Sequence, residues 1–288
     1  MRHDRAVNTR KGARALLLAA ALLALGACTG QFVYNRLDFI IPFYVGQRVT
    51  LDEPQKVQLK VVVREFTSWH RSSQLTRYSA FLRELARESE QPTTREEIEA
   101  ASRSMETFWF DAVREALPEG SQWLRSLSRE QVDELLQSYE EDDEEDREKF
   151  CEASLEKRVE RRTRTMKKTV RRWSGSLDDT QNEIVERTAR AMRPTGCQWL
   201  DHRQRWRSEL KTALFETPDA AQSEERIRTL MLEPRSTWSE EYRRDFEANR
   251  ALLIDMIAEL DATWSQKQRR HIVDRLNDIA ADLEALAT

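Results

Sequence analysis

The chain is predicted to fold as an all-α protein of long antiparallel helices, and three observations carry that prediction. Glycine and proline number only 7 each in 288 residues, so the strongest helix breakers are scarce. Apolar residues recur at steps of three and four, the spacing that gathers them on one helical face. No stretch alternates with the period of two that a half-buried strand requires.

The first element is a leader. Arg2, Arg5, Arg10, Lys11 and Arg14 stand against one acid, Asp4, and Ala15 to Leu25 is an 11-residue run of only Ala and Leu. A spanning helix needs about 20 apolar residues, so this run reads as an export signal rather than a permanent span. It ends in Leu25-Gly26-Ala27-Cys28, which resembles the lipobox of bacterial lipoproteins. The resemblance implies cleavage before Cys28 and lipidation of its thiol, with Leu25, Gly26 and Ala27 recognised by the signal peptidase. Thr29 follows where sorted lipoproteins retained in the inner membrane usually have Asp, which implies an outer-membrane, periplasm-facing location. The domain plan is then a signal peptide over 1–27, a lipidated apolar segment over 28–50 and a helical periplasmic domain over 51–288. A subdivision of that domain at about 51–175 and 176–288 stays open.

Residues 32–49 are the most apolar part of the mature chain. They are expected to tuck into the core as one or two short helices, with Pro42 interrupting the pattern. The competing reading is an interfacial segment on lipid, anchored by Tyr34, Phe39, Phe43 and Tyr44.

Beyond residue 51 the helices follow one another. Leu59, Val62, Phe66 and Trp69, then Leu75, Tyr78, Leu82 and Leu85 on a rotated stripe, predict one helix from about 52 to 90, ended by Pro92. Thr94 and Glu97 form a capping box for the next, lined by Ile98, Met105 and Phe108. Pro118-Glu119-Gly120 is expected to interrupt it before a short segment carrying Trp123 and Leu127. A third long helix is predicted from about 129 to 173, stopped at Ser174-Gly175-Ser176. Another spans about 179–192, breaks at Pro194 and Gly196 and resumes through Trp199, Trp206 and Leu210. A short helix lies between Pro218 and Pro234. Two long ones close the chain, one lined by Trp238, Phe246 and Leu260, the other by Ile272, Leu276 and Leu283.

One start signal recurs: Leu51-Asp-Glu-Pro-Gln55, Leu127-Ser-Arg-Glu-Gln131, Leu177-Asp-Asp-Thr-Gln181 and Trp264-Ser-Gln-Lys-Gln268. Asp52, Ser128, Asp178 and Ser265 suit the N-cap, and the Gln three later can reach back to the cap N–H. The pattern resembles the LTxxQ motif of Spy and CpxP-like periplasmic proteins, with Asp or Ser for Thr. That resemblance implies an ATP-independent chaperone or envelope-stress adaptor acting on unfolded clients. The mature chain is also similar to a family of uncharacterised bacterial lipoproteins that share a segment like Tyr34-Asn-Arg-Leu-Asp38, an aromatic stretch like Ile41-Pro-Phe-Tyr44 and a Leu-x-x-x-Gln helix start. That family brings no assigned activity.

Without residues 1–27 the chain holds 42 basic and 50 acidic residues, a net charge of −8, which disfavours nucleic acid as a partner. His70, His202 and His271 lack a His or Cys at helical spacing, so no zinc site is expected, and no phosphate loop or nucleophile elbow is present. The chain is therefore read as non-enzymatic, with no cofactor and no metal site. Its expected role is that of an interaction or scaffold lipoprotein, held to the membrane through Cys28 and contacting other envelope proteins.

Two features remain. Glu140 to Asp146 are seven consecutive acids, followed by a basic stretch from Lys157 to Arg172. Consecutive residues wind around a helix, so the acidic run is expected to protrude into water or span a thin neck, with a solvated, ion-paired helix as the default reading. It could bind divalent cations or basic clients, while the bases could meet anionic head groups or peptidoglycan carboxylates. Cys151 and Cys197 lie 24 and 22 residues from Gly175, about 36 and 33 Å along straight helices. In an antiparallel pair they would meet at one height as a disulfide. The alternative is two separate buried thiols.

Overall fold

The computed structural model describes the backbone of residues 27–288 and the side chains from residue 30 onward. Every regular element among the described residues is a helix, with no strand among them. The chain runs α1 (Ala27–Tyr34), α2 (Leu37–Gly46), α3 (Glu53–Trp69), α4 (Leu75–Glu88), α5 (Arg95–Arg125), α6 (Arg129–Arg147), α7 (Leu155–Ser174), α8 (Asp179–Ala191), α9 (Gly196–Phe215), α10 (Ala220–Leu232), α11 (Glu240–Thr263) and α12 (Gln266–Ala287).

The helix predicted over 52–90 exists with one irregularity, a π-helical turn at His70–Gln74 between α3 and α4. The added residue rotates everything after it, which is why the apolar stripe shifts between Trp69 and Leu75. Ser72 and Ser73 donate to the Trp69 carbonyl inside this turn, and Gln74 is buried. Two expectations fail. The 118–120 segment does not interrupt, because α5 runs unbroken through Pro118 to Arg125. Its flanks pack on α3 and α10, and this packing offsets the roughly 3 kcal/mol that an interior proline costs. The helix predicted over 129–173 is two helices. After a π-helical turn at Glu148–Glu152, Ala153 adopts ψ 143° and Ser154 caps α7 anew.

The first core gathers Val49, Leu51, Leu59, Val63, Trp123, Leu127, Val132 and Leu136, with α2 laid over it through Leu37, Ile41 and Val45. A second forms where α8 meets α11, from Ile184, Val185, Met256 and Leu260. A third joins α9 to α10. Helices from either side of residue 175 pack on one another: α12 lies along α4 and also touches α7 and α1, while α5 packs on α11. Arg83 grips Glu284 through two bonds of 2.7 Å and Ser79 donates to the same carboxylate, which holds that carboxyl at about 2.

The four recurrent start signals are all N-caps, each with its Gln at N3. The structure adds that they work in pairs. Gln55 and Gln131 face each other as a cyclic amide dimer, donating reciprocally at 2.8 and 2.7 Å. Each Oε1 also accepts from its own cap N–H, of Asp52 or Ser128. Each Nε2 also reaches the carbonyl of the opposite helix entrance, Ser126 or Thr50. Gln181 and Gln268 repeat the arrangement, with Asp178 and Ser265 as the cap donors and Thr263 and Ser176 as the carbonyls. One clasp ties the starts of α3 and α6, the other those of α8 and α12.

Every hydrogen-bonding position of these amides is used, and Gln181 is completely buried. Gln181→Glu keeps the shape but loses both donors, taking the bond from the Thr263 carbonyl and setting a carboxyl oxygen against Gln268 Oε1, which keeps only the Ser265 amide. The expected cost is about 2–3 kcal/mol, read as a lower urea midpoint at unchanged slope. A drop below about 0.5 kcal/mol would show that water replaces the clasp.

Candidate functional site

Leu25 and Gly26 lie outside the described residues, as do the side chains of Ala27 and Cys28. Ala27 and Cys28 lie in the backbone of α1. Where one or two short helices are expected over 32–49 the chain forms α1 and α2, and Pro42 sits inside α2 rather than ending it. Their aromatic residues divide by face. Tyr34 turns inward, its hydroxyl 2.8 Å from His70 Nδ1, and burial pushes it up to about 12. Tyr44 lies beside the Arg48 guanidinium. Phe32, Phe39 and Phe43 point outward.

Arg48 rivets this segment to α6, pairing with Asp142 at 2.7 Å and lying over the rings of Tyr44 and Tyr139. Glu134 adds bonds to the Thr50 amide and hydroxyl. The acidic run therefore does not simply protrude. Asp142 holds Arg48, and Asp143 is buried between Arg203 and Arg207 of α9 at 2.8 and 2.6 Å. Glu144, Glu145 and Asp146 pair with Arg147 or Lys149 nearby. The run winds around α6, and packing against α9 draws the inward-facing acids into ion pairs.

Cys151 and Cys197 are joined as a disulfide with Cα atoms 5.4 Å apart. They do not meet across two straight helices. Each lies at a joint, Cys151 in the π turn before the Ala153 break and Cys197 in the first turn of α9 after the 192–195 break. Gly196 permits the approach, since a Cβ there would stand 2.6 Å from that of Phe150. The joint is pinned from α11: the buried Asn249 amide exchanges both hydrogen bonds with the Arg193 backbone, and Arg193 pairs with Asp245 at 2.6 Å. That contact, with Gln198 beside it, holds the Asp245 carboxyl below the usual range.

The basic stretch of α7 splits likewise. Arg158 and Arg161 donate to the carbonyls of Phe150 and Lys149, and Arg162 to those of Ala189 and Met192. These three satisfy carbonyls left open where two helices end at the joint. Lys157, Arg164, Lys168 and Arg172 stay exposed.

His70 and His202 each share a hydrogen bond, with the hydroxyls of Tyr34 and Thr237, and lie among aromatic rings. Burial lowers both, and Arg205 adds to the effect at His202. The folded state thus prefers neutral imidazoles. Their contribution to stability is complete above the unfolded value of about 6.5 and is lost as pH falls toward the lower folded values. The melting temperature should therefore fall as pH drops below about 6.5, and His70→Gln should flatten that slope.

Among the described residues no group of three or more His, Cys, Asp or Glu could hold a metal ion, and no helix is long and apolar enough to cross a membrane. An open groove of about 730 Å³ between α9 and α10 is lined by Arg205, Glu209, Glu225 and Arg226 with Ser, Thr and Gln residues. It brings together opposite charges but no nucleophile–base pair. Sequence reasoning missed the ion triad at Asp143 and the clasp pairing. Both depend on contacts 60 or more residues apart.

No curated protein and no solved structure matches the chain. A family profile matches residues 47–243, which contain the first clasp, the ion triad, the cysteine joint and Gln181 of the second clasp; the chain belongs to that family, one of unknown function (DUF6279).

Proposed function

We propose that the protein is a lipid-anchored, periplasm-facing outer-membrane protein that acts without catalysis, as an interaction scaffold for other envelope components. The observation that carries the reading is Cys28. It follows a basic and apolar leader and the tripeptide Leu25-Gly26-Ala27. The Cys151–Cys197 disulfide suits an oxidising compartment. Attached acyl chains add about 0.8 kcal/mol per buried methylene, so several chains make a firm tether.

Fractionation of envelopes tests the anchor. The protein should sediment with membranes, resist release by high salt and leave only with detergent. Release by salt alone would contradict lipid anchoring. Crosslinking in intact cells followed by detergent extraction should recover discrete envelope proteins. Recovery of the protein alone at every crosslinker length would contradict the scaffold role.

A second reading is a chaperone for unfolded clients. It is favoured by the LTxxQ-like helix starts and by Val57, Val61, Met105 and Trp109, apolar side chains left exposed on α3 and α5. Suppression of client aggregation at equimolar ratio is its expected result, and no suppression removes it.

A further inference from the structure

We infer that the exposed phenylalanine face of α1 and α2 seats directly in the interfacial layer of the bilayer, so that the protein lies against the membrane instead of hanging from it. The inference rests on Cys28 carrying the lipid and goes beyond that reading, because anchoring alone requires no protein–lipid contact. Leu37, Ile41 and Val45 fix α2 to the first core, leaving the other side of the helix facing out. There Phe39 and Phe43 are 64% and 60% exposed and stack on each other at 6.1 Å. Phe32 on α1 is 63% exposed, with the Arg36 guanidinium 5.8 Å from its ring centroid. Both tyrosines of the segment have turned to protein partners, while all three phenylalanines face away from the core.

The occupant follows from the tether. Cys28 lies within the described span of α1, so the acylated residue is followed by helix with no intervening linker. At 1.5 Å per residue Phe32 lies about 6 Å beyond Cys28 and Phe39 no more than about 17 Å. The headgroup layer of one leaflet is itself roughly 5–8 Å thick. A face held this close to the lipid meets the bilayer before any soluble partner. Charge favours it too: the only acid between Cys28 and Thr50 is Asp38, and Arg64 pairs with it at 3.8 Å. Arg36 can keep its head in the phosphate layer while its stem lies with Phe32.

The test uses the acylated full-length product reconstituted in phosphatidylcholine–phosphatidylglycerol vesicles. With Cys28 acylated and Cys151 bonded to Cys197, Phe39→Cys offers one thiol for an environment-sensitive fluorophore, and Phe43→Cys provides an independent second site. Met105→Cys, at an exposed position of α5, is the comparison. The label at 39 or 43 should be quenched by nitroxide-bearing lipid and be several-fold less accessible to aqueous iodide than the label at 105. Iodide quenching equal to that at 105 overturns the inference. So does shielding from iodide without lipid quenching, which would mean that a second copy covers the face. Mass spectrometry of the Cys28 peptide from the same sample separates the two claims. Acylated Cys28 with a wet position 39 sinks only the seating, whereas unmodified Cys28 sinks both.

Discussion

Replacing Asp143 by Ala is expected to destabilise the protein by about 3–5 kcal/mol. Its carboxylate is the shared partner of Arg203 and Arg207, and the side chains of Asp143 and Arg207 are each only 8% exposed. Removing the acid leaves a guanidinium charge inside the α6–α9 contact, with nothing to replace its lost hydration. Glu141→Ala, two residues earlier on the exposed face of α6, should change stability by no more than about 0.5 kcal/mol. Urea unfolding of both variants checks the contrast. Asp143→Ala combined with Arg207→Met should recover much of the loss, because an apolar side chain tolerates that site better than an unpaired cation does. Equal small effects at 141 and 143 would mean that the acidic run is solvated throughout.

Reducing the Cys151–Cys197 disulfide is expected to cost about 4 kcal/mol, the loop-closure value for its sequence separation of 46. The double variant Cys151→Ser/Cys197→Ser in oxidising buffer should match the reduced parent. Hydrogen exchange should locate the loss. Amides of 148–153 and 195–200 should exchange faster, while those of α8 facing the second core keep their protection, since α8 is held independently by α11. An unchanged midpoint in reductant would show that Asn249 and the arginines of α7 suffice to hold the joint.

The helices were legible in the sequence because their determinants are local. Caps, stripes and terminating prolines act within a few residues, so the four Gln-bearing starts could be read directly. What those glutamines bond to could not. A single sequence shows a residue three positions from its cap but not the second amide 76 or 87 residues away. Pro118 misled for the same reason: its local penalty is visible and the packing of α5 on both sides is not. The rotated stripe after Trp69 was visible and is the mark of the π turn, an insertion that periodicity registers without naming. Spacing brings the cysteines together only along straight helices, whereas the pair sits at two breaks in the helical path. Of the candidate site, the lipobox-like tetrapeptide is contiguous and easily seen. The outward phenylalanines needed the structure, because the apolar run offered Tyr34, Phe39, Phe43 and Tyr44 as equals and only packing turned the tyrosines inward.

Metabolic labelling with palmitate bears on the lipid anchor itself. A labelled mature protein that begins at Cys28 is expected, with complete loss of label in Cys28→Ser while the polypeptide is still made. Label persisting in Cys28→Ser, or an unlabelled wild-type protein cut elsewhere, would contradict it.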